Sequence, residues 1–237
     1  MIKKNILNNA VLSCKNHREL DKKTIKKFIP GYKLMENAGE AIFKIIKQKF
    51  KKQKKIKILC GPGNNGGDGF VVAKLLKENG YKNVDLFCLV TKRELKGDAR
   101  VAADNFNENF KSFTDFQTSN NDVIIDGLFG SGLKKNISGN LKKIIEKINL
   151  KKPYCVSIDI PSGINGDTGE IQGVALKSND TITFTKKKPG HLLFPGNEYC
   201  GNVIVEDIGI NLEKLLFKPQ IFENHPDNWR NKFPWPN

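Results

Sequence analysis

Three short segments hold the residues whose types and spacing could do chemistry. Gly61-Pro62-Gly63-Asn64-Asn65-Gly66-Gly67-Asp68-Gly69 carries five glycines in nine residues. It follows a short apolar strand, Ile56–Cys60, and precedes an apolar, helix-patterned run from Phe70. Glycines here are expected to take left-handed backbone angles and to let the backbone approach a ligand. The helix start offers unpaired N–H groups and a positive dipole end to a phosphate or carboxylate. The second segment runs from Asp126, at the end of an apolar strand, through Gly127–Asn136. The third runs from Asp159 through Pro161-Ser162-Gly163 to Gly169. A carboxylate closing an apolar strand is costly unless paired or ligated, so Asp126 and Asp159 read as functional. Asp68 reads equally as a helix N-cap or as a functional group, and Ser162 alone reads as a turn residue.

Taken singly, these signals are weak. Residues 61–66 satisfy G-x-G-x-x-G, but the acidic ribose partner expected about 20 residues on is missing. Asp85 opens the next strand, and Thr91-Lys92-Arg93 stands near its end, where a 2′-phosphate could be met. The loop lacks the Gly-Lys-Ser/Thr ending of a P-loop. His17, His191 and His225 form no triad or zinc pattern and read as surface or structural residues. Lys188-Pro189-Gly190 and Phe194-Pro195-Gly196 are turn signals first, although a lysine there could reach a phosphate.

The surrounding elements must bring the three loops together. Leu34, Ala38, Ala41, Ile42, Ile45 and Ile46 recur at helical spacing, predicting a helix over 32–50. Strands are predicted at 56–60, 84–90, 122–129 and 154–160, with helices over 70–78, 98–110 and 140–148 between them. Such alternation predicts an α/β fold with a mostly parallel sheet covered by helices on both faces. Ligands of such sheets bind beyond the carboxyl ends of the strands, where all three loops leave. Further strands are predicted at 171–175, 181–184 and 202–208. One domain over 1–218 is expected, with 219–237 a Pro- and Trp-containing tail or linker.

The formal charge is +15, yet only four of the 40 basic residues are Arg (Arg18, Arg93, Arg100, Arg230). Arg is the preferred residue for bidentate contacts to guanine and phosphate, so a solvated basic surface is expected and no nucleic-acid partner. No apolar run approaches 18 residues, so no membrane span is expected. The N-terminus lacks a signal-peptide core. Five scattered cysteines without a C-x-x-C pair read as buried reduced thiols of a cytoplasmic protein.

Leu34-Met35-Glu36-Asn37-Ala38-Gly39, the 61–69 loop, Asp126-Gly127-Leu128-Phe129-Gly130 and Ser157-Ile158-Asp159-Ile160-Pro161-Ser162-Gly163 occur in one order at compatible spacing. Together they resemble the NAD(P)H-hydrate epimerase family, the YjeF N-terminal domain, over about residues 10–215. The resemblance implies a Rossmann-like three-layer α/β/α fold, often a homodimer. It implies interconversion of the R and S forms of hydrated NADH and NADPH, whose nicotinamide ring carries a hydroxyl at C6. It places Asn64, Asn65, Gly66, Gly67, Asp68, Gly130, Ser131, Gly132, Leu133, Lys134, Lys135, Asn136 and Asp159 at the substrate. It gives Asn65, Asp126 and Ser162 as potassium ligands, an all-oxygen set suited to a hard cation. Asp159 is the expected catalytic group, both acid/base and negative counterpart of an iminium-like cation. The expected partner, fused or separate, is an ADP- or ATP-dependent NAD(P)H-hydrate dehydratase. Two other readings stay open: a Rossmann-type NAD-dependent oxidoreductase, and a non-catalytic nucleotide-binding or protein-interaction module.

Overall fold

The structure, a computed structural model, describes residue 7 and residues 9–230. The end of the expected tail, 231–237, lies outside the described residues. In chain order the elements are β1 (Ala10–Val11), α1 (Cys14–Lys27), α2 (Gly31–Lys49), β2 (Ile56–Cys60), α3 (Asn64–Glu78), β3 (Val84–Cys88), α4 (Gly97–Phe106), β4 (Val123–Gly127) and α5 (Gly139–Lys151). After them come β5 (Tyr154–Ile158), β6 (Asp180–Phe184), α6 (Asn197–Cys200), β7 (Asn202–Glu206), β8 (Ile221–Phe222) and α7 (Pro226–Trp229).

Six strands form one parallel sheet in the order β3-β2-β4-β5-β6-β7. The chain leaves β2 for β3 on one side and returns to β4 on the other. That reversal opens a crevice beyond the carboxyl ends of β2 and β4.

Alternation along the strands builds two cores. Ile56, Ile58, Cys60, Val123, Ile125, Val156 and Ile158 face α2, α3 and α4. Leu59, Ile124 and Cys155 face α5 through Ile144, Ile145 and Ile148. Burying those three isoleucines contributes at most about 9 kcal/mol. Asp126 is paired in register with Leu59 and Ser157, so the period of two turns its side chain toward the α5 face.

Three expectations change. The 61–69 loop is half helix: α3 starts at Asn64 with Gly63 as its cap, so Asp68 is inside the helix and is no N-cap. None of Gly61, Gly63, Gly66, Gly67 and Gly69 has positive φ. They serve close packing instead: a Cβ on Gly66 would overlap the Gly61 carbonyl, and one on Gly61 the Leu128 carbonyl. Residues 171–175 form no strand, because Gly173 turns at φ +80° and Ile171 makes only an isolated bridge to Ile164.

Helix α1 is the element missing from the sequence reading. Ser13 Oγ accepts the Asn16 N–H at 3.1 Å as its cap, and Cys14, His17, Leu20 and Thr24 form its buried stripe. Three of those four are not plain hydrophobes, so the stripe is nearly silent in a hydropathy pattern. Beyond residue 218, β8 pairs antiparallel with β1, and the Lys187 ammonium lies 2.8 Å from Glu223.

Candidate active site

The crevice at the strand-order reversal is a cleft of about 890 Å3, within the range of about 300–1,000 Å3 usual for small-molecule sites. Its walls come from α1 and α2, the start of α3, the 128–138 loop, Asp159, the segment after β6, and Ile208 with Ile210. Asn64, Asn65, Asp68, Asp159 and every residue from Gly130 to Asn136 line it. Gly66 and Gly67 do not; they are buried behind that wall, and a Cβ on Gly67 would stand 2.6 Å from Met35 Sδ.

The three loops meet at Gly130. A Cβ there would lie 2.9 Å from Asp159 Oδ2 and 3.1 Å from Asn65 Oδ1, so only glycine lets both side chains approach. Asn65 is oriented by its Nδ2, which donates to Ile158 O at 3.1 Å. Asp159 has φ +68°, a left-handed conformation that costs a non-glycine residue about 1–3 kcal/mol and tends to persist at functional sites. Its backbone is clamped on both sides. Its N–H donates to Ile182 O at 2.7 Å, and His191 Nε2 lies 2.8 Å from its carbonyl. His191 Nδ1 accepts the Lys188 N–H at 2.9 Å, which makes Nε2 the protonated, donating nitrogen of a neutral ring.

The Asp159 carboxylate is held by donors on both oxygens. Lys188 Nζ lies 2.5 Å from Oδ1 and 3.1 Å from Thr183 Oγ1, and the Ser131 N–H donates to Oδ2 at 3.1 Å. Burial pushes the carboxyl up, but the Lys188 ammonium, its hydrogen bond and the Ser131 N–H prevail and hold it well below the usual carboxylate range. Lys188 is itself buried, so it is spent on Asp159 and does not wait for a phosphate. His17 and His191 flank the pair and are buried, which corrects the surface alternative for both. Burial first and the Lys188 charge second hold them neutral, His17 down to about 3 and His191 to about 4.

Three more carboxyls line the cleft, Asp21, Asp68 and Asp98. Asp68 is 8% exposed; burial, then the charges of Asp159 and Asp21, push its carboxyl well above the usual range. Asp21, from the helix the sequence hid, is raised to about 6 by burial and by Asp159.

Asp126 and Ser162 stand together behind the cleft, both fully buried. Asp126 accepts from Ser162 Oγ at 2.6 Å, Ser162 N at 2.8 Å, Ser157 Oγ at 3.0 Å and Leu128 N at 3.2 Å. Burial raises its carboxyl, with the Ser162 bonds pulling the other way. Ser162 Oγ also lies 3.2 Å from Phe129 O. The cluster is all oxygen on the acceptor side, which suits a hard cation, while Asn65 makes its hydrogen bond one strand away on Ile158. Lys92 and Arg93 do not line the cleft, and Lys92 pairs with Asp104 at 3.1 Å.

Comparisons with known proteins agree with this architecture. The chain is 38% identical over 217 residues to a NAD(P)H-hydrate epimerase from Lentilactobacillus buchneri, covering 90% of this chain and 98% of that one. It is 37% identical over 220 residues to a bifunctional NAD(P)H-hydrate repair enzyme from Coxiella burnetii. That match takes in 92% of this chain but 44% of the longer relative, so the chain spans less than half of it. The crystal structure of yeast ynu0 superposes with a TM-score of 0.70 at 25% identity, covering 90% of this chain and 96% of the yeast chain. The model of the YjeF-related protein N-terminus matches residues 31–190. That stretch contains all three cleft loops and most of the parallel sheet, and the chain therefore belongs to the YjeF-related protein N-terminus family.

Proposed function

We propose that this chain is a NAD(P)H-hydrate epimerase, acting on hydrated NADH and NADPH at C6 of the nicotinamide ring. The observation that carries the reading is the ion-paired Asp159 carboxylate, exposed to a cleft of dinucleotide size at the strand-order reversal. C6 bears a hydroxyl next to the ring nitrogen. When the hydroxyl leaves as water, the nitrogen lone pair forms a C=N bond and a planar cation results; return of water to the other face gives the other epimer. A carboxylate fixed in its ionised form favours that cation over the neutral ground state. Asp159 fits this role through Lys188. The start of α3, with Gly63, Asn64 and Asn65 on the wall, offers N–H groups to a phosphate, and Lys134 and Lys135 add positive charge at the same cleft.

Asp126, Ser162 and Asn65 are the residues that would hold a potassium ion, and the ion would supply positive charge behind the pyrophosphate end of the cleft. A homodimer and a dehydratase partner are part of this reading; fusion to a second activity is borne by the name of the bifunctional Coxiella relative. Among the described residues no helix is long and apolar enough to cross a membrane. All five cysteines are buried free thiols, which fits a reducing cytoplasmic location.

The test uses the R epimer of hydrated NADH with an S-specific dehydratase. Adding this chain should restore the NADH absorbance faster than spontaneous epimerisation allows. Asp159→Asn should remove the acceleration while nucleotide binding stays within a few-fold. An unaccelerated reaction with the wild-type chain, potassium present, would leave a binding module as the better reading.

A further inference from the structure

The reaction proposed above needs a proton carrier as well as a negative charge, and the cleft separates the two tasks. Asp159 is poorly placed to carry a proton: Lys188 and Thr183 meet one oxygen and the Ser131 N–H meets the other. A proton on either oxygen would face a donor. Asp68 is in the opposite situation. Its side chain lines the cleft, is 8% exposed, and makes no hydrogen bond or ion pair among the described residues. An ionised carboxylate in such a place would be left with its charge uncompensated.

We infer that Asp68, not Asp159, is the acid/base group of this site, carrying the proton to and from the C6 hydroxyl while Asp159 stays ionised. This rests on the epimerase reading and divides its chemistry between two carboxyls. Asp68 gives its proton to the hydroxyl oxygen, the C6–O bond breaks, and its electron pair departs with water. The ring nitrogen lone pair becomes the C6=N bond, and Asp68 is now a carboxylate. A water then adds to C6, the π pair returns to nitrogen, and the spare proton goes back to Asp68, directly on one face and through a second water on the other. No electrons enter or leave.

Charged and titratable groups line the same cleft from several elements: His17, Arg18 and Asp21 from α1, Asp98 from α4, Lys134 and Lys135 from the loop after β4, Asp159 after β5 and Lys188 after β6. Of these, Asp159 and Asp21 act most on Asp68. Asp159 and Asp21 disfavour a further negative charge, while Lys188 is tied to Asp159. His17 is buried and its Nε2 has no partner, so it adds no positive charge. The same arrangement favours the neutral, proton-donating form of Asp68 over its carboxylate.

Two measurements on the full chain test this. The first is carboxyl-carbon NMR with Asp68→Asn used for assignment. The resonance missing from the variant should still be that of a protonated carboxyl at pH 7, whatever the enzyme's substrate. An Asp68 signal already ionised at pH 6 overturns the inference even if epimerisation is found. The second is epimerisation kinetics by direct separation of the R and S forms. Asp68→Asn should lower kcat at least 100-fold with KM within about threefold and lose the alkaline limb of the wild-type pH profile. Asp68→Glu should recover part of kcat, with a displaced limb. Asp68→Asn within threefold of wild type would sink the inference and leave the epimerase reading standing. A wild-type chain with no activity sinks both.

Discussion

The Lys188 ammonium is almost wholly buried in the cleft wall and lies 2.5 Å from Asp159 Oδ1, so the Asp159 carboxylate is fixed by a partner that has almost no surface of its own to offer a ligand. Thr183 and His191 complete the support, the first on Lys188 Nζ and the second on the Asp159 carbonyl. A formal charge of +15 thus coexists with a cleft whose floor carries Asp21, Asp68 and Asp159.

Breaking that pair should be costly. Lys188→Met removes the cation and leaves the half-buried Asp159 carboxylate with Ser131 and Thr183 alone. A loss of about 3 kcal/mol at pH 7 is expected, the usual consequence of stranding one member of a buried pair. Adding Asp159→Asn to Lys188→Met should return most of it, since the stranded charge is then gone. Urea unfolding of the two single variants and the double measures the coupling. A double variant no more stable than Lys188→Met would mean that the pair is not the source of the cost.

The two buried histidines should make a contribution to stability that acid removes well above the carboxylate range. His191 and His17 are held neutral, down to about 4 and about 3, against an ordinary value of 6.5. Their depressed values stabilise the fold fully above pH 6.5, and that stabilisation is lost as pH falls from there toward the folded values. Asp21, raised to about 6, and the raised carboxyls of Asp68 and Asp126 have the opposite sign over the same range, so the histidine contribution is read as a difference between two proteins. For His191 the loss is at most about 3 kcal/mol. Between pH 7 and pH 5 the urea midpoint of wild type should therefore shift downward relative to that of His191→Gln, which cannot titrate at this position. Parallel pH profiles in the two proteins would remove His191 from the acid response.

Much of this site is legible in the sequence, because its parts are local. Asp126 and Asp159 stand out as carboxylates on apolar strands, and the strand-helix alternation predicts a parallel sheet whose carboxyl edge gathers the loops. What is not legible depends on long-range placement. Lys188 sits in a Lys-Lys-Lys run that looks like any solvated turn, and only the approach of β6 to β5 carries it under Asp159. His17 and Asp21 belong to a helix whose buried stripe is too polar to show a hydrophobic period. The glycines around Asp68 suggest conformational freedom in the sequence, but no positive φ occurs there; what they relieve is crowding, within the loop at Gly66 and against Leu128 and Met35 at Gly61 and Gly67.

That crowding gives a third prediction. In Gly66→Ala the new Cβ meets the backbone of Gly61, and backbone cannot turn aside as a flexible side chain can. The helix start would have to move away from the β2 loop, at a cost of about 2–3 kcal/mol. Gly63→Ala is the control, since its Cβ position has no heavy atom within 4 Å. Thermal unfolding should show a large drop for the first and, for the second, only the smaller one of a glycine-to-alanine change at a helix cap. Equal drops would mean that glycine is needed here for flexibility rather than space.

The potassium assignment can be tested without turnover. Ser162 Oγ both donates to Asp126 and accepts the Phe129 N–H at 2.9 Å. Ser162→Ala therefore strands the Phe129 N–H and removes one of the four donors on the buried Asp126 carboxylate, for an expected loss of about 2 kcal/mol in the absence of any ion. An ion bound only by the folded chain raises the unfolding midpoint in proportion to the logarithm of its concentration. Potassium chloride should raise the wild-type midpoint more than choline chloride at equal ionic strength. Ser162→Ala should abolish that difference beyond its own fixed loss, and Asn65→Ala should weaken it. A potassium-specific rise that survives intact in Ser162→Ala would remove this serine from the ligand set, leaving the Asp126–Ser162 pair as a strap that ties β4 to the loop after β5.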